Sequence, residues 1–318
     1  MKNHTIITRL FVYASFFIAS SFLTSCSKDE IEKKTDSKLQ NSSNQQSKNL
    51  YPWEYETYNS YLSNYKEEYS NAKKSTVKWS YNGATGPEFW GNLSPDFVLC
   101  AEGASQSPID ISSNCRTSNG YGDYFDDGDG LHFFYKKSTL NVLNNTHTIQ
   151  FSPKPGSYVK LKGVRYNLAQ FHVHASSEHT IDGRFSPLEI HFVHTNSEND
   201  KDLLVLGLLV ERGRFNRRYN GFWKSSNFPK EGNSILEVTR PINLAHLLPR
   251  NKSRYNYSGS LTTPPCSEGV NWNVLTRKIR MSRNQIKAFT RLYSDNFRPV
   301  QETNDRDIVL VPDYYCYY

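Results

Sequence analysis

The run Leu203–Val210 reads Leu-Leu-Val-Leu-Gly-Leu-Leu-Val, with no polar side chain in it. A strand with one face in water alternates apolar and polar residues, whereas a strand apolar on both faces is buried on both. This run therefore requires a sheet with material packed on each side. Shorter apolar runs bounded by Gly, Pro, Asn and Asp precede it, at Leu140–Val142, Thr148–Phe151, Tyr158–Leu161, Ala169–Val173 and Leu188–His194. One helix is expected at Ser282–Leu292, with Ser282 as N-cap and Gln285 at the capping-box position. The reading is one mostly β domain over residues 76–318. A hydrophobic content of 37% with 14% aromatics supplies the core and excludes a disordered or fibrous chain.

The first 75 residues have a different texture. Lys2 and Arg9 precede an apolar run from Leu10 to Leu23, shorter and richer in serine than a membrane span, as in the core of an export signal. The run ends in Leu23-Thr24-Ser25-Cys26, which resembles the lipobox of bacterial lipoproteins. That resemblance implies removal of residues 1–25 and a lipid on Cys26. Ser27 in place of Asp resembles the pattern that sends lipoproteins to the outer membrane, on its periplasmic or cell-surface side. Residues 27–50 are polar and read as a tether, and Tyr58, Tyr61, Leu62, Tyr65 and Tyr69 are spaced as on a short amphipathic helix within 51–75.

Export would place the remaining cysteines in an oxidising compartment. Cys100, Cys115, Cys266 and Cys316 allow three pairings, and spacing does not choose among them. The net charge is +7, with its densest cationic run at Arg212, Arg214, Arg217 and Arg218. Gly and Asn interrupt that run, which reads as a solvated loop, and no nucleic-acid-binding module accompanies it. Asp123, Asp126, Asp127 and Asp129 lack the spacing of an EF-hand and read as a solvated loop too.

The chemistry-bearing segment is Gln170-Phe171-His172-Val173-His174. Alternate strand residues share a face, so His172 and His174 project together with Gln170 beside them. In Leu188-Glu189-Ile190-His191-Phe192-Val193-His194, Glu189, His191 and Val193 share one face and His194 takes the other. Three neutral histidines with an open fourth position make a catalytic zinc site, and Gln170 and Glu189 suit the outer ring nitrogens of such ligands. A His-x-His pair alone also occurs as ordinary hydrogen-bonded core, so the neighbouring segments decide.

Those segments are Ala169–Thr180 with Glu189–His194, Trp79-Ser80-Tyr81 with Gly86-Pro87 and Trp90, Gln106–Ile111, Ser258–Cys266 with Trp272, and Asn304 with Arg306. In this order, over roughly residues 76–312, they resemble the alpha-type carbonic anhydrases. The resemblance implies a single domain around a large, mainly antiparallel twisted β-sheet with a few peripheral helices. It implies one Zn²⁺ held by His172, His174 and His191, and reversible hydration of CO₂ to bicarbonate and a proton by attack of zinc-bound hydroxide, a lyase reaction. Thr262 would orient that hydroxide, with Glu178 accepting the threonine proton. Val193, Val205, Leu261, Val270 and Trp272 would form the apolar CO₂ wall, with Thr262 and Thr263 contacting substrate or bicarbonate.

By the same resemblance His147 carries the proton out, a task suited to a histidine titrating near neutrality, with Tyr81, Asn145 and Gln150 holding the water chain. Cys100 and Cys266 match a pair bridged in extracellular members. Cys115 and Cys316 lie on segments that run near each other in the family fold, which suggests a second bridge. No catalytic role falls to His132, His179, His194 or His246, and His194 is expected to make a buried structural hydrogen bond. Ala175 stands where animal members have tryptophan, and residues 212–233 do not match and read as a divergent surface element. A non-catalytic binding module of this fold typically lacks one or more zinc histidines, whereas all three are present here.

Overall fold

The structure, a computed structural model, describes residues 77–115, 117, 130–230 and 232–313. The expected export signal, Cys26, the tether, the Tyr-rich helix, the four aspartates of 123–129 and Cys316 lie outside the described residues.

The described chain forms fourteen strands: β1 Asp110–Ile111, β2 His132–Phe134, β3 Lys137–Asn144, β4 Ile149–Pro153, β5 Tyr158–Leu161, β6 Val164–His174, β7 Thr180–Ile181, β8 Leu188–Asn196, β9 Leu203–Arg212, β10 Ser234–Asn243, β11 Arg254–Ser260, β12 Glu268–Leu275, β13 Ile279–Met281 and β14 Val309–Val311. Short helices α1 Trp90–Leu93 and α2 Leu99–Glu102 precede them, and α3 Arg283–Thr290 lies between β13 and β14. Twelve strands make one sheet, ordered β10-β3-β4-β6-β8-β9-β12-β11-β14, with β13 beside β9 and β2-β5 beside β6. The pairings are mainly antiparallel; β9 is the junction, antiparallel to β8 and parallel to β12 and β13.

Alternation along β6, β8 and β9 sorts their residues between two faces. Phe171, Val173, Leu188, Ile190, Phe192, Leu204, Leu206, Leu208 and Val210 enter the main core. Phe151, Phe171 and Phe192 lie directly opposite one another on β4, β6 and β8. Their rings stack with centroids 4.9 and 5.1 Å apart, an aromatic ladder that stiffens the sheet behind the opposite face. On that face the register sets His172 opposite His191, and His191 opposite Gly207.

A register shift between Leu168 and Gln170 makes this possible. Tyr166 and Leu168 point into the core, as do Phe171 and Val173. The extra residue at Ala169 reverses the parity of the strand and turns Gln170, His172 and His174 to the other face.

One sequence expectation is corrected here. Residues 212–233 are more than a surface element, because Tyr219, Phe222, Trp223 and Phe228 are buried in the main core. The adjoining Arg212, Arg214, Arg217 and Arg218 are exposed, as expected of a solvated run. Cys316, the expected partner of Cys115, lies outside the described residues, and Cys115 carries a free thiol. Its sulfur turns to the backbone of Leu310, where the chain at Thr117 pairs with that residue. The Cys100–Cys266 disulfide is formed.

Candidate metal centre and its surroundings

Three imidazoles converge between β6 and β8, and the donor nitrogens that His172, His174 and His191 offer lie within 4.8 Å of one another. Each ring is oriented from behind. His172 Nδ1 donates to Gln170 Oε1 at 2.9 Å, His174 Nδ1 to the Asn296 carbonyl at 2.7 Å, and His191 Nε2 to Glu189 Oε1 at 2.9 Å. These bonds fix the tautomers and leave His172 Nε2, His174 Nε2 and His191 Nδ1 as lone-pair donors. His174 Nε2 is buried with no hydrogen-bond partner, as expected of an atom placed to bind something else. Burial draws the His174 pKa down to about 4 and lowers those of His172 and His191, so all three rings stay neutral. Neutral imidazoles are what a divalent cation requires, and three of them fit Zn²⁺ with a fourth position open.

Glu189 is the keystone of this arrangement. Its carboxylate accepts the backbone N–H groups of Glu178 and His179 at 2.9 and 2.8 Å, His179 Nδ1 at 2.7 Å, and His191 Nε2. Burial alone would raise its pKa, but His179 and His191 outweigh that and hold it well below the ordinary value. The chain of bonds continues from His179 Nε2 to the Tyr257 hydroxyl at 2.6 Å, and from there to Ser107 Oγ at 2.9 Å. Gly207 makes room for it, because a Cβ there would lie 2.9 Å from Glu189 Oε1 and 3.2 Å from a Val274 methyl.

Glu178 is fully buried beside the trio. Its Oε1 accepts the Arg298 N–H at 2.8 Å, and its Oε2 lies 3.8 Å from His191 Nδ1. Burial pushes its pKa up to about 7 against the opposing pull of His191, the Thr262 hydroxyl and the Arg298 backbone. Oε2 has no hydrogen-bond partner, although the Thr262 hydroxyl is near enough to act on the carboxyl group. A cation among the histidines would favour the ionised form.

Val193, Val205, Leu261, Val270 and Trp272 pack in one apolar cluster. Val193 lies directly opposite Val205, which pairs in turn with Trp272, and the Trp272 ring meets His191 edge-on at 4.8 Å. The Leu261–Ser267 loop carrying Thr262 and Thr263 is held by Leu261 N–H to the Ser267 carbonyl, and by Gln106 Nε2 to the Cys266 carbonyl at 3.1 Å. Trp272 Nε1 anchors its base, donating to the Ser260 carbonyl at 2.9 Å.

His147 stacks flat on Trp79, with centroids 3.7 Å apart and 6° between the planes, and Tyr81 stands edge-on to it at 6.4 Å. Burial lowers its pKa to about 4, in contrast to the near-neutral titration expected from sequence. Asn145 Oδ1 accepts the N–H groups of His147 and Thr148, which leaves its NH₂ group for any water chain. Gln150 is buried beside His172, its cross-strand partner. His194 is fully buried, donating to the Leu204 carbonyl and accepting from the Tyr135 hydroxyl at 2.7 Å.

Residues 85–311 match the family described as eukaryotic-type carbonic anhydrase. The chain belongs to the alpha-type carbonic anhydrase family. A carbonic anhydrase of Nostoc sp. is 38% identical over 240 residues, 76% of this chain and 88% of that protein. One from Neisseria gonorrhoeae is 40% identical over 233 residues, 73% of this chain and 87% of its relative. The alpha-carbonic anhydrase of Thermovibrio ammonificans, solved with the inhibitor sulfanilamide, superposes with a TM-score of 0.67 at 39% identity, covering 74% of this chain and all of that one. Alpha-carbonic anhydrases are zinc enzymes, which agrees with the donor set found here.

Sequence reasoning missed His179, Asn296 and Arg298. His179 lies within Ala169–Thr180, but no spacing there marks it as the link between Glu189 and Tyr257. Asn296 and Arg298 reach the site across 122 and 120 residues, and no local pattern announces partners so distant.

Proposed function

We propose that this chain catalyses the reversible hydration of CO₂ to bicarbonate and a proton at the His172–His174–His191 centre. The observation that carries the reading is the buried, unpartnered His174 Nε2, converging with two other oriented donors beside an apolar wall. His172 Nε2, His174 Nε2 and His191 Nδ1 would hold Zn²⁺. When bound, zinc lowers the pKa of water to about 7 and so supplies a nucleophile at neutral pH.

The chain's own residues would do the rest. Thr262, giving its hydroxyl proton to Glu178, keeps an oxygen lone pair to orient the attacking water towards carbon. Val193, Val205, Leu261, Val270 and Trp272 offer CO₂ an apolar wall without hydrogen-bond partners, and Thr263 would contact the departing bicarbonate. His147 would take the released proton and pass it to buffer, with Tyr81, Gln150 and the Asn145 NH₂ group lining the way. Buried in this position it holds a proton poorly, so uptake would belong to a ring turned out towards solvent.

The test is stopped-flow CO₂ hydration by the protein beside His172→Ala, with metal content measured on both. Fast hydration with about one zinc per chain, lost in the variant, is the expected result. Bound zinc without hydration would remove the enzymatic reading.

A further inference from the structure

The turn between β3 and β4, which carries His147, is held from outside at both ends. Asn144 at its head is 3% exposed. Its Oδ1 accepts the Thr146 N–H at 3.0 Å and the Tyr293 hydroxyl, while its Nδ2 donates to the Pro229 carbonyl at 2.9 Å. Its backbone carbonyl accepts the Asn233 N–H at 2.6 Å. At the turn's other end Asn296 Nδ2 donates to the His147 carbonyl at 3.0 Å, and the Asn296 carbonyl accepts from His174 Nδ1. Thus Tyr293 and Asn296, at the exit of α3, grip the two ends of the turn.

Such bracing answers a strain. Thr146 has φ 74°, a left-handed conformation that is an outlier for a β-branched residue and persists only where its surroundings over-determine it. Gly232 closes over it, since a Cβ at that position would lie 2.6 Å from Thr146 Cγ2. Released from Asn144, Thr146 would relax to negative φ and carry the neighbouring His147 backbone with it.

We propose that Tyr293, acting through the Asn144 carboxamide, is a positioning residue for proton transfer by His147. The inference rests on the reading of His147 as the proton carrier. Tyr293 touches no reacting atom; it sets where the imidazole starts and which way it can turn. The effect belongs to proton transfer and not to CO₂ attack, because the hydrogen bonds of Asn144 and Tyr293 and the ring contact of Tyr293 reach neither the histidine trio nor the apolar wall.

The zinc-loaded enzyme would be assayed in dilute, bulky buffer and again with added imidazole, which can carry protons in place of His147. Tyr293→Phe, which removes only the hydroxyl, is expected to lower kcat roughly 3- to 10-fold with kcat/KM unchanged, and imidazole is expected to restore it. Asn144→Ala should give the same pattern with a larger loss. A second readout uses metal-free protein: in the parent, the flat Trp79 ring should displace the His147 proton resonances upfield, and Tyr293→Phe should reduce that displacement. Parent-like kcat and parent-like His147 resonances in Tyr293→Phe would overturn the inference. So would a fall in kcat/KM that imidazole does not repair, since that marks general damage to the site. His147→Ala is the control for the underlying reading: if it keeps the parent kcat in dilute buffer, the proton-carrier role itself falls and the inference with it.

Discussion

Gly207 illustrates how closely single residues are fitted around the metal centre. It faces the site from β9, opposite His191, and its missing side chain leaves space that the Glu189 carboxylate fills. A methyl group there would sit 2.9 Å from Glu189 Oε1, closer than carbon and oxygen tolerate. The carboxylate cannot retreat without releasing His191 or the N–H groups of residues 178 and 179. Gly207→Ala is therefore expected to destabilise the fold by about 1–3 kcal/mol, as overpacking does. Loosening the support of His191 should also weaken zinc binding roughly 10- to 100-fold. Urea unfolding and competition with a chromophoric chelator would measure the two effects. Parent-like zinc affinity in a destabilised variant would show that His191 holds its place without Glu189. The glycine was visible in the sequence, but nothing there said that a carboxylate would need its space.

Two of the strands around the site were legible from their apolar pattern. Leu203–Val210 is apolar on both faces and is buried in the centre of the sheet; Leu188–His194 alternates and divides between core and site. The bulge at Ala169 was not legible, since one inserted residue leaves no compositional trace, yet it decides which face His172 and His174 take. The 212–233 segment misled for another reason. Its exposed arginines stand at the front of the segment, while Tyr219, Phe222, Trp223 and Phe228 turn inward to cover the core. What turns them is α3. Gln285 is 4% exposed and does three things at once: its backbone N–H is capped by Ser282 Oγ, its Oε1 accepts the Asn216 N–H, and its Nε2 donates to the Asn216 carbonyl. Its own carbonyl receives Trp223 Nε1 at 2.8 Å. Two substitutions should separate helix capping from this docking. Ser282→Ala, which removes the cap alone, is expected to lose about 1 kcal/mol. Gln285→Ala strands the Ser282 N–H, the other half of the capping box, together with two backbone groups of Asn216, and should lose about 2–4 kcal/mol. Chemical unfolding of both would decide, and equal losses would mean that the helix, and not its grip on Asn216, is what matters.

Across the whole molecule, residues far apart in sequence are gathered at one point behind the Thr262 loop. The Cys100–Cys266 bridge closes a separation of 166 residues. Next to it the Arg298 guanidinium donates to the Cys100 carbonyl, the Ser107 carbonyl and Gln106 Oε1, each at 2.8 Å. Arg306 joins the Gln106 carbonyl to that of Ser258. In the chain-entropy account a loop this long contributes up to about 5 kcal/mol. The paired change Cys100→Ser with Cys266→Ser is thus expected to lower the melting temperature by roughly 10–20 °C for a domain of this size. Zinc content should stay near the parent value, because the histidine trio stands on β6 and β8 and is oriented by Gln170, Glu189 and Asn296, none of which touches the bridge. Thermal melts of the parent and the double variant, each with its metal measured, test both halves of the argument. A large loss of zinc would mean that the staple reaches the metal centre through Arg298 and Glu178. An unchanged melting temperature would mean that the two arginines hold the gathering point without it.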